Sequence, residues 1–298
     1  MPQFRSMPCP ACQESATHVL GQPDLSRDPV GAAPGTSIVA CSACGHLRLQ
    51  PMPYWSQDDF AKLYGDDYFV PDSPRWSTLR AVTNPSARLA RLLPLLSAPQ
   101  KTVLEIGSGV YAHFCKLLQP QGWSVVAQEP SPTFQATLRE AGLDVEPRLF
   151  EDLPEDRKFA ILYADSVFEH VPDPGIFFDK ASLLLEPGGV LYLVVPRERS
   201  LLGNLRARIA RWRGKPCPLL SAYKPPYHLH GFSPASMRHF AKRSGLRVGR
   251  IFLGEDWFWL QALEKLPPVV GHLVAGVLWL ADKAGLGGNL EVALIKDP

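Results

Sequence analysis

The chain has 298 residues, 46% of them hydrophobic and 20% charged, with a formal net charge of +2. That length accommodates one sizeable core plus an accessory module, and so small a net charge gives no general signature of nucleic-acid or membrane binding. The N-terminus, MPQFRSMPCPAC, lacks the apolar core of a secretory signal, so a cytoplasmic setting is expected. The most apolar late stretch, Pro267 to Ala281, contains His272 and falls short of the roughly 20 residues that cross a bilayer. It reads as a buried or interface helix rather than one lying on a membrane.

Of the six cysteines, four form two CxxC pairs, Cys9-Pro10-Ala11-Cys12 and Cys41-Ser42-Ala43-Cys44, while Cys115 and Cys217 are left over. In a reducing compartment that pattern points to metal rather than to disulfides. Four thiolates on two tight turns can close a tetrahedral site around zinc, and a closed four-ligand site is structural. The complete set makes the nearby His18 and His46 unnecessary as ligands. Residues 1–53 therefore read as a zinc-ribbon-like module, too poor in apolar side chains to fold without its metal. Residues 54–100 follow as a helical lid or linker, with aromatics at Tyr54, Trp55, Phe60, Tyr64, Tyr68, Phe69 and Trp76. These either pack the segment on the next domain or, through Tyr64 or Tyr68, close over a ligand.

From Lys101 strands and helices alternate, which indicates a parallel, doubly wound sheet. VLEIGSGVYAHF, Val103 to Phe114, is a strand, a glycine turn and the start of a helix. In that context glycines let the backbone approach a ligand, and the free N–H groups of a helix start suit an anionic part of it. SVVAQEP is the second strand and ends in Glu129, placed to accept hydrogen bonds from the hydroxyls of a ribose. A short third strand near Asp144 to Glu146 is followed by the loop FEDLPEDRKF, and Ala160 to Asp165 is the fourth strand. A helix after Asp173 runs to the turn Pro187-Gly188-Gly189, and Val190 to Pro196 is the fifth strand. GSGVYA also satisfies the dinucleotide fingerprint, so the loop by itself leaves NAD open.

Downstream segments narrow the choice. LEIGSG (Leu104 to Gly109), Glu129, DSVFEHVPDP (Asp165 to Pro174) and LLLEPGGVLYLVVPR (Leu183 to Arg197) together resemble class I S-adenosylmethionine-dependent methyltransferases, in the branch acting on small molecules such as quinones and sugars. The likeness is close over about Lys101 to Pro196. The cysteine pairs, with HLRLQPMP and LYGDDYF, resemble a subgroup of bacterial sugar and natural-product methyltransferases carrying a zinc-ribbon-like module.

The resemblance implies S-adenosylmethionine as cofactor and a seven-stranded α/β sheet ending in an antiparallel strand pair. It implies that Glu105, Gly107, Ser108 and Gly109 border the methionine end, that Glu129 holds the ribose, and that Phe150, Glu151 and Asp152 run along the adenine. Asp165, at the end of the fourth strand, and Tyr68 complete the expected cofactor cleft. Two positions depart from the family pattern: Tyr111 stands where a third glycine is common, and Leu149 where an acidic adenine contact is common, leaving Glu151 or Asp152 to replace it.

The methyltransferase domain, residues 101–298, carries two insertions, at about 197–235 and 256–288. RERSLLGNLRARIARWRGK, Arg197 to Lys215, places Leu201, Leu205, Ile209 and Trp212 at helical spacing and reads as an amphipathic helix. Its arginines are either a solvated face or a site for a phosphorylated substrate, a partner or an anionic surface. KPPY, Lys224 to Tyr227, looks like an amino-methyltransferase motif but stands far from the fourth strand, where that motif belongs. His228 and His230 precede Phe232-Ser233-Pro234, and in this branch histidines at that point often face the substrate. Alternation would put both on one side of an extended segment. Leu246 to Gly254 and Asn289 to Asp297 read as the closing strands, with Trp257, Phe258 and Trp259 in the insertion between them.

The expected reaction is methyl transfer to a small molecule at a hydroxyl, with His228, His230 and His170, in that order, as candidate general bases. Methyl transfer at nitrogen or carbon, an RNA methyltransferase gripping its target through the zinc module, and a non-catalytic cofactor-binding scaffold are the alternatives.

Overall fold

Apolar runs with few charges form strands buried on both faces, and they become the parallel centre of the sheet. The computed structural model describes residues 3–23, 35–54, 85–220, 228–254 and 266–298. Tyr68 and the rest of the expected lid from Trp55 to Trp76, KPPY, and the three aromatics at Trp257 to Trp259 lie outside the described residues.

In chain order the central sheet is built from β6 (Thr102–Ile106), β7 (Ser124–Gln128), β8 (Asp144–Glu146), β9 (Phe159–Asp165), β10 (Leu185–Pro196), β12 (Leu246–Leu253) and β13 (Asn289–Lys296). Their spatial order is β12-β13-β10-β9-β6-β7-β8, with β13 antiparallel to both its neighbours and the other pairs parallel. The strand order reverses between β6 and β9, so their carboxyl ends frame the crevice where open α/β sheets bind ligands.

Both faces of the sheet are covered. A helix over residues 85–92 (α1), α2 (His113–Leu118) and α3 (Pro132–Glu140) pack one face through Leu89, Leu92, Phe114, Leu118 and Leu138. The other face carries α4 (Pro174–Leu184) and α6 (Pro234–Arg243) through Phe177, Phe178, Met237 and Phe240. The insertions contribute α5 (Leu201–Trp212) and α7 (Pro268–Lys283). The Pro-Gly-Gly turn is absorbed into β10 as an irregularity rather than preceding the strand. Gly188 (φ +77°) is needed there because a Cβ would lie 2.4 Å from Ser97 Oγ.

The N-terminal region differs from a free-standing module. Its sheet runs β11-β4-β3-β2, from β2 (Thr17–Gly21), β3 (Ser37–Cys41), β4 (Leu47–Gln50) and β11 (His230–Gly231), while β1 (Gln3–Arg5) pairs with β5 (Met52–Tyr54). β11 belongs to the insertion of the larger domain and pairs antiparallel with β4, His230 opposite Arg48 and Gly231 opposite Leu47. Cys217, Leu219, Leu220 and Leu229 pack with Ile38, Leu47 and Met52 in one cluster, and Cys9, Cys41 and Cys44 join the core of the larger domain. The amount of apolar surface in residues 1–53 is small, and this docking supplies the rest.

A buried ion network fastens the far side of the sheet. Glu291, in the middle of β13 and 1% exposed, accepts from Arg88 Nε at 3.2 Å, Arg91 Nη1 at 2.9 Å and the Tyr192 hydroxyl at 2.5 Å. Arg88 also donates to the Tyr163 hydroxyl at 2.7 Å and pairs with Asp165 at the end of β9. Both arginines come from α1, so this network fastens the segment before β6 to the sheet. Substituting Arg88→Ala removes one of two guanidinium partners from a buried carboxylate and is expected to cost about 3 kcal/mol of unfolding free energy. Urea denaturation measures it, and a loss well under 1 kcal/mol would mean that the network contributes no more than a surface pair.

Candidate active site

The loop after β6 is held by side chains from β7 and by backbone geometry available only to glycine. Gly107 (φ +59°) and Gly109 (φ +58°) are left-handed, a region costly for side chains with a Cβ. At Gly107 a Cβ would also lie 2.6 Å from Val167 Cγ2, so the loop after β6 touches the loop after β9 directly. Gly107 N–H donates to Gln128 Oε1 at 2.9 Å, and the Gln128 amide reaches Arg148 O at 2.7 Å. Tyr111, the departure from the family loop, stacks on His113 with ring centroids 5.0 Å apart.

Glu105, expected to border the methionine end, turns its carboxylate toward the start of α2. Its carboxylate accepts from Phe114 N at 3.3 Å and Cys115 N at 2.8 Å. It thereby satisfies donors that the start of α2 leaves open, since Ala112 provides no side-chain cap. Burial pushes its pKa up to about 7, against the pull of those N–H groups. Glu105 is a brace for the helix beneath the loop, with its oxygens turned into the protein.

Glu129 sits at the carboxyl end of β7 and is 6% exposed. One oxygen accepts from Gly109 N at 2.9 Å and the other from Ser131 N at 2.8 Å. A carboxylate oxygen offers two lone-pair sites, so one on each oxygen is left for a ligand hydroxyl. Burial raises the pKa of this group. Ser108 Oγ is buried and has no hydrogen-bond partner, an orphaned polar atom in the glycine loop that fits a polar cofactor group. Phe150–Asp152 forms a single 3-10 turn in which Phe150 is buried against Phe177, Glu151 is half-buried with its pKa raised by burial, and Asp152 is exposed. Of the two acidic substitutes for Leu149, Glu151 is the more enclosed. Asp165 is held by Arg88 and by the Ser166 hydroxyl at 3.1 Å.

A second cluster lies past the end of β9. Glu169, 1% exposed, has both carboxylate oxygens buried without a hydrogen bond. Its Oε1 is 3.8 Å from His228 Nε2 and 4.0 Å from His170 Nε2. His228 Nδ1 lies 2.9 Å from Glu198 Oε1, and the other Glu198 oxygen accepts from Leu220 N at 3.0 Å. The His170 and His228 rings meet edge to face at 5.0 Å. Burial pushes the Glu169 carboxyl up to about 7 despite the adjacent His228. Burial works against a charged His228, yet the Glu198 hydrogen bond and the Glu169 charge outweigh it and raise its pKa.

His230 does not join this cluster. β11 begins only at His230, so the expected alternation does not extend back to His228. His230 is 1% exposed, its Nδ1 is 3.0 Å from His46 Nε2, and burial takes its pKa down to about 3. Its ring packs on His46 and Phe232.

The four cysteines converge: Cys9 and Cys44 Sγ are 3.6 Å apart, Cys12 and Cys41 3.5 Å, and Cys12 and Cys44 3.6 Å. Gln13 (φ +62°) and Gly45 (φ +69°) close the two knuckles in equivalent left-handed turns. Ser233 Oγ donates to Cys44 O at 2.8 Å and Arg243 Nη1 to Pro10 O at 2.6 Å, so both ends of α6 grip the knuckles.

Residues 79–250 match the family model described as a methyltransferase domain. The chain belongs to that family. It is 32% identical over 95 residues to a ubiquinone biosynthesis O-methyltransferase of Nitrobacter winogradskyi, a match spanning 30% of this chain and 36% of that relative. A putative methyltransferase of Haloferax volcanii, solved with a methyltransferase activator, aligns at TM-score 0.51 and 16% identity over 75% of this chain and 95% of that one. Magnesium protoporphyrin IX methyltransferase of Synechocystis PCC 6803 with bound SAH aligns at TM-score 0.50 and 12% identity over 80% of this chain and 93% of that one. The chain is thus a class I S-adenosylmethionine-dependent methyltransferase with the fold its sequence implied.

Sequence reasoning missed Glu169, Glu198 and Arg88. Glu169 stood in the quoted EHVPDP segment beside His170, and an acidic residue ahead of a helix start was a signal open to notice. Glu198 was hidden among the arginines of the insertion. Gly107→Ala tests the glycine loop: strain at φ +59° and the Val167 contact are expected to cost about 1–2 kcal/mol, with weaker S-adenosylmethionine binding. Thermal unfolding and calorimetric titration read both, and a variant that is unchanged in both would show that the loop tolerates a Cβ.

Proposed function

We propose that this methyltransferase acts on a hydroxyl of a small-molecule acceptor, a sugar or natural-product intermediate, with His228 as the general base. The observation that carries the reading is the buried Glu169–His228–Glu198 row past the end of β9. When bound, S-adenosylmethionine supplies an electrophilic methyl group whose transfer depends on in-line alignment. Gly107, Ser108, Gly109, Glu129 and the Phe150–Asp152 turn are the residues proposed to hold it, with Asp165 at the edge of the cleft. The name of the Nitrobacter winogradskyi relative supports oxygen as the acceptor atom.

His228 has the arrangement of a base. Glu198 Oε1 accepts from Nδ1–H, which sets the neutral tautomer and leaves the Nε2 lone pair free. An acceptor hydroxyl beside Nε2 gives up its proton there as its oxygen takes the methyl. The imidazolium that forms is flanked by Glu198 on one side and Glu169 on the other, which stabilises it. His170, which touches both Glu169 and the His228 ring, is proposed to orient that carboxylate.

Because the base works only when neutral and its pKa is raised, turnover is expected to rise with pH through a midpoint above that of a free imidazole, about 6.5. Glu198→Gln removes the largest raising influence and moves the midpoint down. His228→Ala is expected to lower kcat about a hundredfold or more while leaving S-adenosylmethionine affinity unchanged. Mass spectrometry of products from a panel of hydroxyl acceptors, with the pH profiles, is the test. Methyl found on nitrogen or carbon, or a His228→Ala enzyme with wild-type kcat, would overturn the reading.

The four cysteines are proposed to hold a structural zinc. Zinc–sulfur bonds of about 2.3 Å in a tetrahedron place sulfurs about 3.8 Å apart, close to the spacing seen in the cluster. One equivalent of zinc per chain is expected by elemental analysis. Its removal by a chelator is expected to melt the N-terminal sheet, since ligand binding and folding are one process in such modules. Near-UV circular dichroism that stays unchanged after complete metal removal would argue against a structural role.

A further inference from the structure

Two helices of this protein are packed inside out. α5 is started by Ser200, whose Oγ accepts from Gly203 N at 3.1 Å. It rests on the protein through small residues: Gly203, Ala207 and Ala210 are half-buried, and Ala207 packs on the cluster of the N-terminal sheet. Its large apolar side chains point away: Leu201 is 46% exposed, Leu205 51%, Ile209 41% and Trp212 84%. At about 100° per residue these four fall within about 80° of one another, a continuous outward stripe. Arg208 and Arg211 flank it on one side, Arg206 and Arg213 on the other, all four exposed.

α7 repeats the inversion. Gly271 and Ala275 are buried, while Val269 is 75% exposed, Leu273 68%, Val277 59% and Leu280 61%. The start of α5 is tied to the turn after α7, where Leu201 N donates to Leu286 O at 3.1 Å, and Leu286 is itself exposed. Water on both stripes is costly, and apolar helix faces of this kind mark a surface that is covered in use. Of the two settings expected for Pro267 to Ala281, a buried helix or an interface helix, the exposed apolar residues leave the interface one.

Charge decides what covers them. From Arg199 to Lys215 the chain carries Arg199, Arg206, Arg208, Arg211, Arg213 and Lys215, with no Asp or Glu. A second copy seated on α5 would bring arginine rows together. A bilayer of anionic phospholipid matches both features at once: the apolar stripe enters the acyl boundary and the arginines on either flank reach the phosphates. The exposed Trp212 suits the headgroup level. α5 spans 12 residues and α7 16, and neither is long enough to cross. We propose that α5 and α7 seat this protein on the surface of an anionic phospholipid membrane.

The test is flotation of the full-length protein with phosphatidylglycerol–phosphatidylcholine vesicles. Binding at low salt is expected, with a blue shift of tryptophan emission, and it is expected to weaken as salt screens the arginines. Leu205→Glu with Ile209→Glu is expected to abolish binding. Arg206→Ala with Arg208→Ala keeps the apolar stripe and is expected to weaken partitioning roughly fivefold per arginine, the change that about 1 kcal/mol per basic residue implies. Circular dichroism verifies that both variants, altered only at exposed positions, stay folded. Four outcomes overturn the proposal: no flotation at low salt, equal binding to phosphatidylcholine alone, undiminished binding by the glutamate variant, or a dimer in sedimentation velocity that this variant dissociates, which would make the stripe an interface between copies.

Discussion

The antiparallel pairing of His230–Gly231 with Leu47–Arg48 is the contact on which the Glu169–His228 cluster depends. It takes a segment from the insertion after β10 and makes it an edge strand of the cysteine-bearing sheet. Leu229 is held from both sides, its carbonyl by Leu49 N at 3.1 Å and its N–H by Glu169 O at 2.8 Å. His228 is the neighbouring residue, so its position beside Glu169 follows from the two backbone bonds of Leu229. A knuckle closed by metal would stiffen Cys44, and through Ser233 and the start of α6 the same segment again. The N-terminal region therefore supports the candidate site through this pairing, although none of its described residues enters it.

Buried charges divide the molecule into two kinds of polar interior. Around Glu291, two arginines and a tyrosine satisfy the carboxylate, and the network serves to anchor α1. Around Glu169, neither oxygen has a hydrogen bond. An unsatisfied buried carboxylate costs stability unless something offsets it, and fold stability gains nothing from keeping one there. The difference separates two kinds of network: the first is complete among the described residues, whereas the second leaves a carboxylate that no described residue satisfies.

Most of the fold was legible because its signals are local. TVLEI, SVVAQ and FAILYAD are strands by composition, Gly107 and Gly109 mark a turn by conformation, and two CxxC pairs mark knuckles by spacing. The site was legible in part. His228 stood out by residue type, and Glu129 by its place at a strand end. What escaped were contacts between segments far apart in sequence. Glu105 lies in the motif, but its direction is set by an α2 start that lacks a cap. His230 has the same side chain as His228 and differs only because His46, 184 residues away, closes over it. No period or propensity carries that information; the pairing of β11 with β4 does.

The same reasoning bears on the helices of the insertions. Periodicity in α5 identified a helix and its apolar stripe correctly, and left open which way the stripe faced. Patterning normally answers that, because large apolar residues turn to the core. Here the core side is taken by Ala207, which packs on the cluster of the N-terminal sheet, and by Gly203, whose missing Cβ lets the backbone lie close to Glu198. The direction of the stripe is therefore set by which residues are small enough for the close contact, a property of the tertiary partner that the period of the apolar residues does not carry.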